Sequence, residues 1–158
     1  MSNKKLIKND HEDNSITISN SNEFKCGVPK TAIFIGFQYI TTNKSYNFEY
    51  FKKSRDKVEA YDEFIKYLQR LSNYSWETIS NLGKRNGGFE TIEYSNFNSS
   101  IANKLPSNKK ISKDTKLFVF RFGHNDDYRM VCFKSNSCYA AMHLLGFDFD
   151  YSLYDHGS

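Results

Sequence analysis

Apolar positions change their period several times along the chain, and each change predicts an element. Gly27-Val28-Pro29 punctuates a polar opening, and Thr31 to Ile40 then reads TAIFIGFQYI, a β-rich run whose continuous apolarity predicts a buried first strand. From Ser54 the period lengthens to that of a helix. Val58, Tyr61, Phe64, Ile65, Leu68 and Leu71 form one apolar stripe, Ser54 is the candidate N-cap with Asp56 in the first turn, and Asp62 and Lys66 face solvent at i,i+4. Ser75 caps a shorter second helix with Trp76 and Ile79 as its inward edge and Gly83 as its stop. Phe89 to Tyr94 alternates poorly and reads as an edge strand, and residues 95–116, rich in Asn, Ser and Lys with Pro106 among them, read as a long loop with a short helix near Ile101.

The last third reads as strands: Leu117 to Phe122, Tyr128 to Lys134 and Cys138 to Phe147, the last two flanking a hairpin turn at Ser135-Asn136-Ser137. A two-residue loop pairs Tyr128 with His143 and Arg129 with Met142; a three-residue loop shifts that register by one. The order of elements predicts an α+β fold, two helices packed on one face of a mostly antiparallel sheet. Residues 1–26 are polar and mixed in charge, relieved only by Ile16-Thr17-Ile18, and are expected to be a disordered tail ahead of a single domain over 27–158. With 14 Phe and 11 Tyr, aromatic rings must supply much of the buried surface.

Net charge is +4, so what matters is whether the positive charge clusters. Residues 41–116 carry fourteen Lys and Arg against nine acids, whereas residues 117–158 carry three against five. The basic excess lies in the middle and the C-terminal third is slightly acidic. Abundant Asn, Lys, Ser, Ile, Phe and Tyr match the coding bias of an AT-rich bacterial or phage genome, so lysine richness alone says nothing of a partner. The longest apolar stretch, Ala140 to Phe147, is too short to span a bilayer, and MSNKKLIKNDHEDN lacks the apolar centre of a secretory signal. Cys26, Cys132 and Cys138, odd in number and without CxxC spacing, are expected as free thiols in a reducing compartment, which implies a cytoplasmic protein.

The residues that could carry chemistry are few. Arg121 and Arg129 interrupt otherwise apolar strands, where a charge needs a partner or a solvated face. They could clamp a phosphate, because guanidinium donors match phosphate oxygens two at a time, or each could pair with Asp126, Asp127 or Asp148 in a scaffold ion pair. Lys84 and Arg85 sit in the loop Gly83-Lys-Arg-Asn-Gly-Gly88, which lacks the spacing of a Walker or dinucleotide loop. His124, His143, His156, Tyr128, Tyr151 and Tyr154 are candidate proton donors and acceptors, with His143 alternatively a core histidine. Asp148, Asp150, Asp155 and His156 invite a metal-site reading, since alternating carboxylates on a strand share one face, but no second ligand cluster has recognisable spacing, and neither metal nor cofactor is expected. No Ser or Cys sits in a nucleophile elbow.

Val-Phe-Arg-Phe122, Tyr-Arg-Met-Val131 and the closing run Leu-Leu-Gly-Phe-Asp-Phe-Asp-Tyr-Ser-Leu-Tyr-Asp-His156 resemble the RelE/ParE toxin superfamily over residues 30–156. Its members have a first strand, two helices and an antiparallel C-terminal sheet with an arginine-bearing strand and a terminal Tyr or His. The resemblance implies a toxin-antitoxin protein of a bacterial mobile element, a metal-independent endoribonuclease that cuts mRNA, often on the ribosome. Arg121 and Arg129 would stabilise the phosphate, Tyr154 or His156 would act as acid or base, and Lys84 with Arg85 would hold RNA. The insertion at 95–116 departs from that family, and some of its members act on gyrase instead. The alternative is a small mobile-element-encoded binding protein that inhibits a host or defence factor without catalysis, suggested by abundant Tyr and Phe. An antitoxin or a host protein is accordingly the expected protein partner.

Overall fold

In the computed structural model, which describes residues 32–102, 105, 111–136 and 138–155, the strand-rich last third of the chain becomes the middle of a five-stranded sheet. The strands are β1 (Phe34–Gly36), β2 (Phe89–Glu93), β3 (Lys116–Phe122), β4 (Tyr128–Lys134) and β5 (Ala141–Asp148), in spatial order β1-β5-β4-β3-β2. All neighbours are antiparallel except β1 and β5. With helices α1 (Ser54–Leu71) and α2 (Trp76–Asn81) on one face, the fold is α+β, as the pattern predicts.

The first face is built from rings. Phe120 and Phe122 of β3, Met130 and Cys132 of β4, and Met142, Leu144 and Phe147 of β5 pack against Ala60, Phe64, Tyr67 and Leu71 of α1 and Trp76 and Ile79 of α2. Phe147 touches Phe48 and Phe64 at ring-centroid distances of 4.6 and 5.0 Å. Each such fully buried side chain contributes about 1.5–3 kcal/mol relative to exposure. Ser75 caps α2 as expected, its hydroxyl accepting from the Thr78 amide at 3.0 Å. The Asp62–Lys66 surface pair forms at 2.7 Å.

Three expectations about the helices and strands are corrected. First, the apolar stripe of α1 is rotated: Val58, Tyr61 and Ile65 are 65, 45 and 51% exposed, and the inward row is Ala60, Phe64, Tyr67 and Leu71. Tyr67 buries its ring like any hydrophobe, and small Ala60 marks close approach to the sheet. Lys53, not Ser54, occupies the N-cap position, without a side-chain cap. Second, the apolar run before Ile40 is not a buried strand. Only Phe34–Gly36 pairs, at an edge against β5 alone, leaving Phe34 and Phe37 half exposed.

Third, the hairpin register differs. Ser135 to Ala140 connect β4 to β5, so Lys134 faces Met142 and Phe133 faces His143. A bulge between Val131 and Cys132 then adds one residue to β5. The extra residue reverses the alternation, directing Leu145 away from the helices, Phe147 towards them and Asp148 away again. Arg129 therefore lies opposite Asp148, not Met142.

The second face is covered by chain without regular structure. Tyr46 from a 3-10 turn at Lys44–Tyr46, Phe97, Ile101 from a 3-10 turn at Ser99–Ile101, and Leu153 and Tyr154 near the end pack on Leu117, Val119, Val131 and Leu145. The Asn98 amide donates to the Leu153 carbonyl at 2.7 Å, and Phe97 bridges to Tyr154. Gly146 permits this closeness, because a Cβ there would meet the Tyr46 carbonyl oxygen at 2.7 Å. The segment after β2 is thus part of the second face's cover.

Cys132 is a buried free thiol, whose pKa is pushed up by burial. Cys138, by contrast, is disulfide-bonded, which corrects the expectation of a free thiol at that position. Cys26, His156 and the expected tail at 1–26 lie outside the described residues. No described helix is long and apolar enough to cross a membrane.

Candidate functional site

Strand parity decides which polar groups meet. On β3 the residues Leu117, Val119 and Arg121 share the second face, and on β4 Arg129, Val131 and Phe133 share it. Arg121 and Arg129 are direct cross-strand partners. Asp148 follows on β5, and Glu90 of β2, opposite Val119, lies diagonally from Arg121. One end of the second face thus carries a row of carboxylate, guanidinium, guanidinium, carboxylate across four strands. Like charges set directly opposite oppose sheet formation, so the arginine pair needs compensation.

That compensation is incomplete. Arg129 is only 4% exposed; one Nη donates to the carbonyls of Asp126 and of Tyr128, the latter at 3.1 Å. Its guanidinium carbon lies 4.9 Å from the Tyr151 ring centroid. Tyr151 adopts φ +61°, a left-handed conformation uncommon for an aromatic residue, in the turn that carries the ring to this position. Arg121 is partly exposed. The Nε atoms of both arginines are buried without a hydrogen-bond partner among the described residues, and none of the ion pairs formed there involves either arginine.

The flanking carboxylates are committed elsewhere. Asp148 is buried and accepts from the amides of Ser152 at 3.1 Å and Leu153 at 3.4 Å. Asp150 also accepts from the Ser152 amide. These acids fold the closing turn, and no group of three His, Cys, Asp or Glu side chains that could hold a metal ion forms among the described residues. The turn brings Tyr154 back over the row, where its hydroxyl donates to Glu90 Oε1 at 2.7 Å. Lys84 Nζ reaches Glu90 Oε2 at 2.9 Å.

Proton affinities follow from these contacts. Burial acts to raise the Glu90 pKa, but the hydrogen bonds from Lys84 and Tyr154 and the charges of Lys84 and Arg121 outweigh it, and the carboxyl is held below its ordinary range. Tyr154 moves far upward, through burial first and the bond to Glu90 second, with Arg129 opposing. At neutral pH the pair is a phenol and a carboxylate.

Of the residues singled out in the sequence, Arg121, Arg129, Tyr154 and Lys84 come together. Arg85 is exposed beside Lys84. Tyr128 does not join them: it lies on the helix face, tilted against Phe122 at 5.4 Å and edge-on to Phe149 at 5.1 Å, where burial raises its pKa. His143 is at the other end of the second face, opposite Phe133. Glu90 escapes sequence reasoning, although its parity with Ile92 in β2 is a signal that it points to the covered side. No family model, curated protein or solved structure matches the chain.

Proposed function

We propose that the protein acts on RNA as a metal-independent, toxin-like endoribonuclease, with its phosphate site at the partly exposed edge formed by Arg121, Lys84, Glu90 and Tyr154. The observation that supports this reading is the registered Arg121–Arg129 pair beside a hydrogen-bonded phenol and carboxylate. The partly exposed Arg121 guanidinium suits the oxygens of a phosphodiester, and stabilises the charge that develops as its phosphorus becomes five-coordinate. The Glu90 carboxylate takes the proton of the attacking 2′-hydroxyl, the 2′-oxygen bonds to phosphorus, and the bond to the 5′-oxygen breaks. Tyr154 supplies the proton to that leaving oxygen. The products are a 2′,3′-cyclic phosphate and a 5′-hydroxyl, and transfer of the proton from Glu90 back to the Tyr154 oxygen, 2.7 Å away, restores the starting state. Arg129, buried beneath the Tyr151 ring, supports the Tyr154 oxygen.

RNA or the ribosome as target implies a cytoplasmic site of action, where disulfides are rare, so the Cys138 bond makes the redox state a variable of the assay. Purified protein, reduced and oxidised, is incubated with RNA and with ribosomes. Cleavage that falls by about a hundredfold or more in Arg121→Ala and in Tyr154→Phe, both retaining native circular dichroism, is the expected result. No cleavage in either redox state, or equal cleavage by the wild type and Arg121→Ala, overturns the reading. A second reading, a partner-binding inhibitor without catalysis, is favoured by one observation: Val58, Tyr61 and Ile65 leave an apolar stripe on α1 exposed. A host factor or an antitoxin is the partner class this stripe suits.

A further inference from the structure

A cleft of about 840 Å³ opens at the opposite end of the sheet from the arginines, where β3 begins, β4 ends and the chain following β1 crosses β5. Arg121 lies five residues along β3 from Lys116 at its mouth, roughly 16 Å by the rise of a strand, so the two places are separate. Three rings form one wall. Tyr39 meets Phe133 edge-on at 4.9 Å, and His143 leans against both, at 4.8 Å from Tyr39 and 5.1 Å from Phe133. All three are partly exposed, so ring surface faces the cleft. Gln38 Nε2 sits 3.2 Å from His143 Nδ1 and fixes the imidazole against the rings.

The polar lining has a definite composition. Lys116 and Lys134 line the cleft where β3 begins and β4 ends, the Lys134 ammonium held 3.9 Å from the centroid of Trp76 on the helix-covered face, and Asp114 supplies an exposed carboxylate. We propose that this cleft is a nucleotide site that takes an unpaired nucleobase with its attached sugar and phosphate. The base lies against the wall of Tyr39, Phe133 and His143, since every base offers a π-face to aromatic rings. Lys116, at the end of β3, receives the phosphate, and Asp114 accepts from a ribose hydroxyl or an exocyclic amine. The volume falls within the range of sites for ligands of this size. A free mononucleotide and an unpaired residue of an RNA strand present this same chemistry.

The site is tested by binding, without cleavage. The four ribonucleoside 5′-monophosphates and a short single-stranded 2′-O-methyl oligonucleotide, which has no attacking hydroxyl, are titrated into the full chain and into Tyr39→Leu, Phe133→Leu and Lys116→Ala, each checked for an unchanged thermal melt. Saturable mononucleotide binding, weakened about tenfold or more by Tyr39→Leu or Phe133→Leu and also by Lys116→Ala, supports the free nucleotide as ligand. Binding of the oligonucleotide alone, with the same losses, supports an RNA residue as ligand. The proposal is overturned when neither probe binds, or when the ring variants that melt normally leave affinity unchanged. Because nothing here depends on Arg121 or Tyr154, the nucleolytic reading can fail while this one holds, and the reverse.

Discussion

The two faces of one sheet solve burial differently. The helix-covered face hides aromatic and aliphatic side chains and one thiol, and its cover is chiefly two regular helices whose backbone polar groups satisfy one another, completed by Phe48 and Phe149. The opposite face is apolar in its middle, through Leu117, Val119, Val131 and Leu145, but ends in buried Arg129 and Asp148. Its cover is irregular chain whose amides need acceptors supplied by side chains, as Asp148 supplies Ser152 and Leu153. A face covered by helices has no need of charge; a face covered by turns brings polar chemistry inside with its cover.

Phe147 and Asp148 are adjacent in sequence and point to opposite faces, so they test this contrast within one backbone setting. Phe147→Ala removes a fully buried ring from the helix side and is expected to lower the unfolding free energy by about 3–5 kcal/mol, read from urea titrations. Asp148→Ala leaves the Leu153 amide without its acceptor and the Ser152 amide with Asp150 alone, and is expected to cost about 1–3 kcal/mol. Its loss should appear as faster amide exchange at Ser152 and Leu153, where Phe147→Ala loosens the sheet as a whole. If both variants produce the same exchange pattern, the two faces do not differ in the way described.

The smallest effect concerns the Tyr154–Glu90 pair. Tyr154→Phe should cost about 1 kcal/mol at neutral pH through the lost hydrogen bond. Because Glu90 is depressed below its ordinary 4.5 in the folded protein, its ionised form adds stability that is fully present above that value and disappears as pH falls through the folded pKa. Stability of the wild type should therefore decline on acidification below about 4.5. In Tyr154→Phe the decline should be shallower, since one of the bonds holding Glu90 ionised is gone. Unfolding curves measured across that range check the difference in slope.

Regular elements were legible where a local pattern determines them. α2 was readable because Ser75 and the Trp76–Ile79 spacing are complete within six residues, and β4 because its bounds coincide with its apolar run. The orientation of α1 was not readable, because Tyr67 and Ala60 count as weak hydrophobes in a pattern while Val58 and Ile65 count as strong ones. The β5 register depended on a six-residue connection and a bulge, neither of which alternation reveals. The arginines stood out as charges within apolar strands, but Glu90 became part of the site only through the packing of β2 beside β3 and the return of Tyr154. Which acid lies beside which base is a property of three-dimensional neighbours, beyond what spacing along the chain carries.

Strand β1 finds its partner far along the chain, Phe34 opposite Ala141, whereas β3, β4 and β5 are joined in sequence by short connections. Closing a small loop costs less entropy than closing a large one, so the antiparallel trio assembles ahead of the parallel pairing. During synthesis the first strand is made long before its docking edge exists, and it has to wait beside the ribosome until the final third of the chain has emerged.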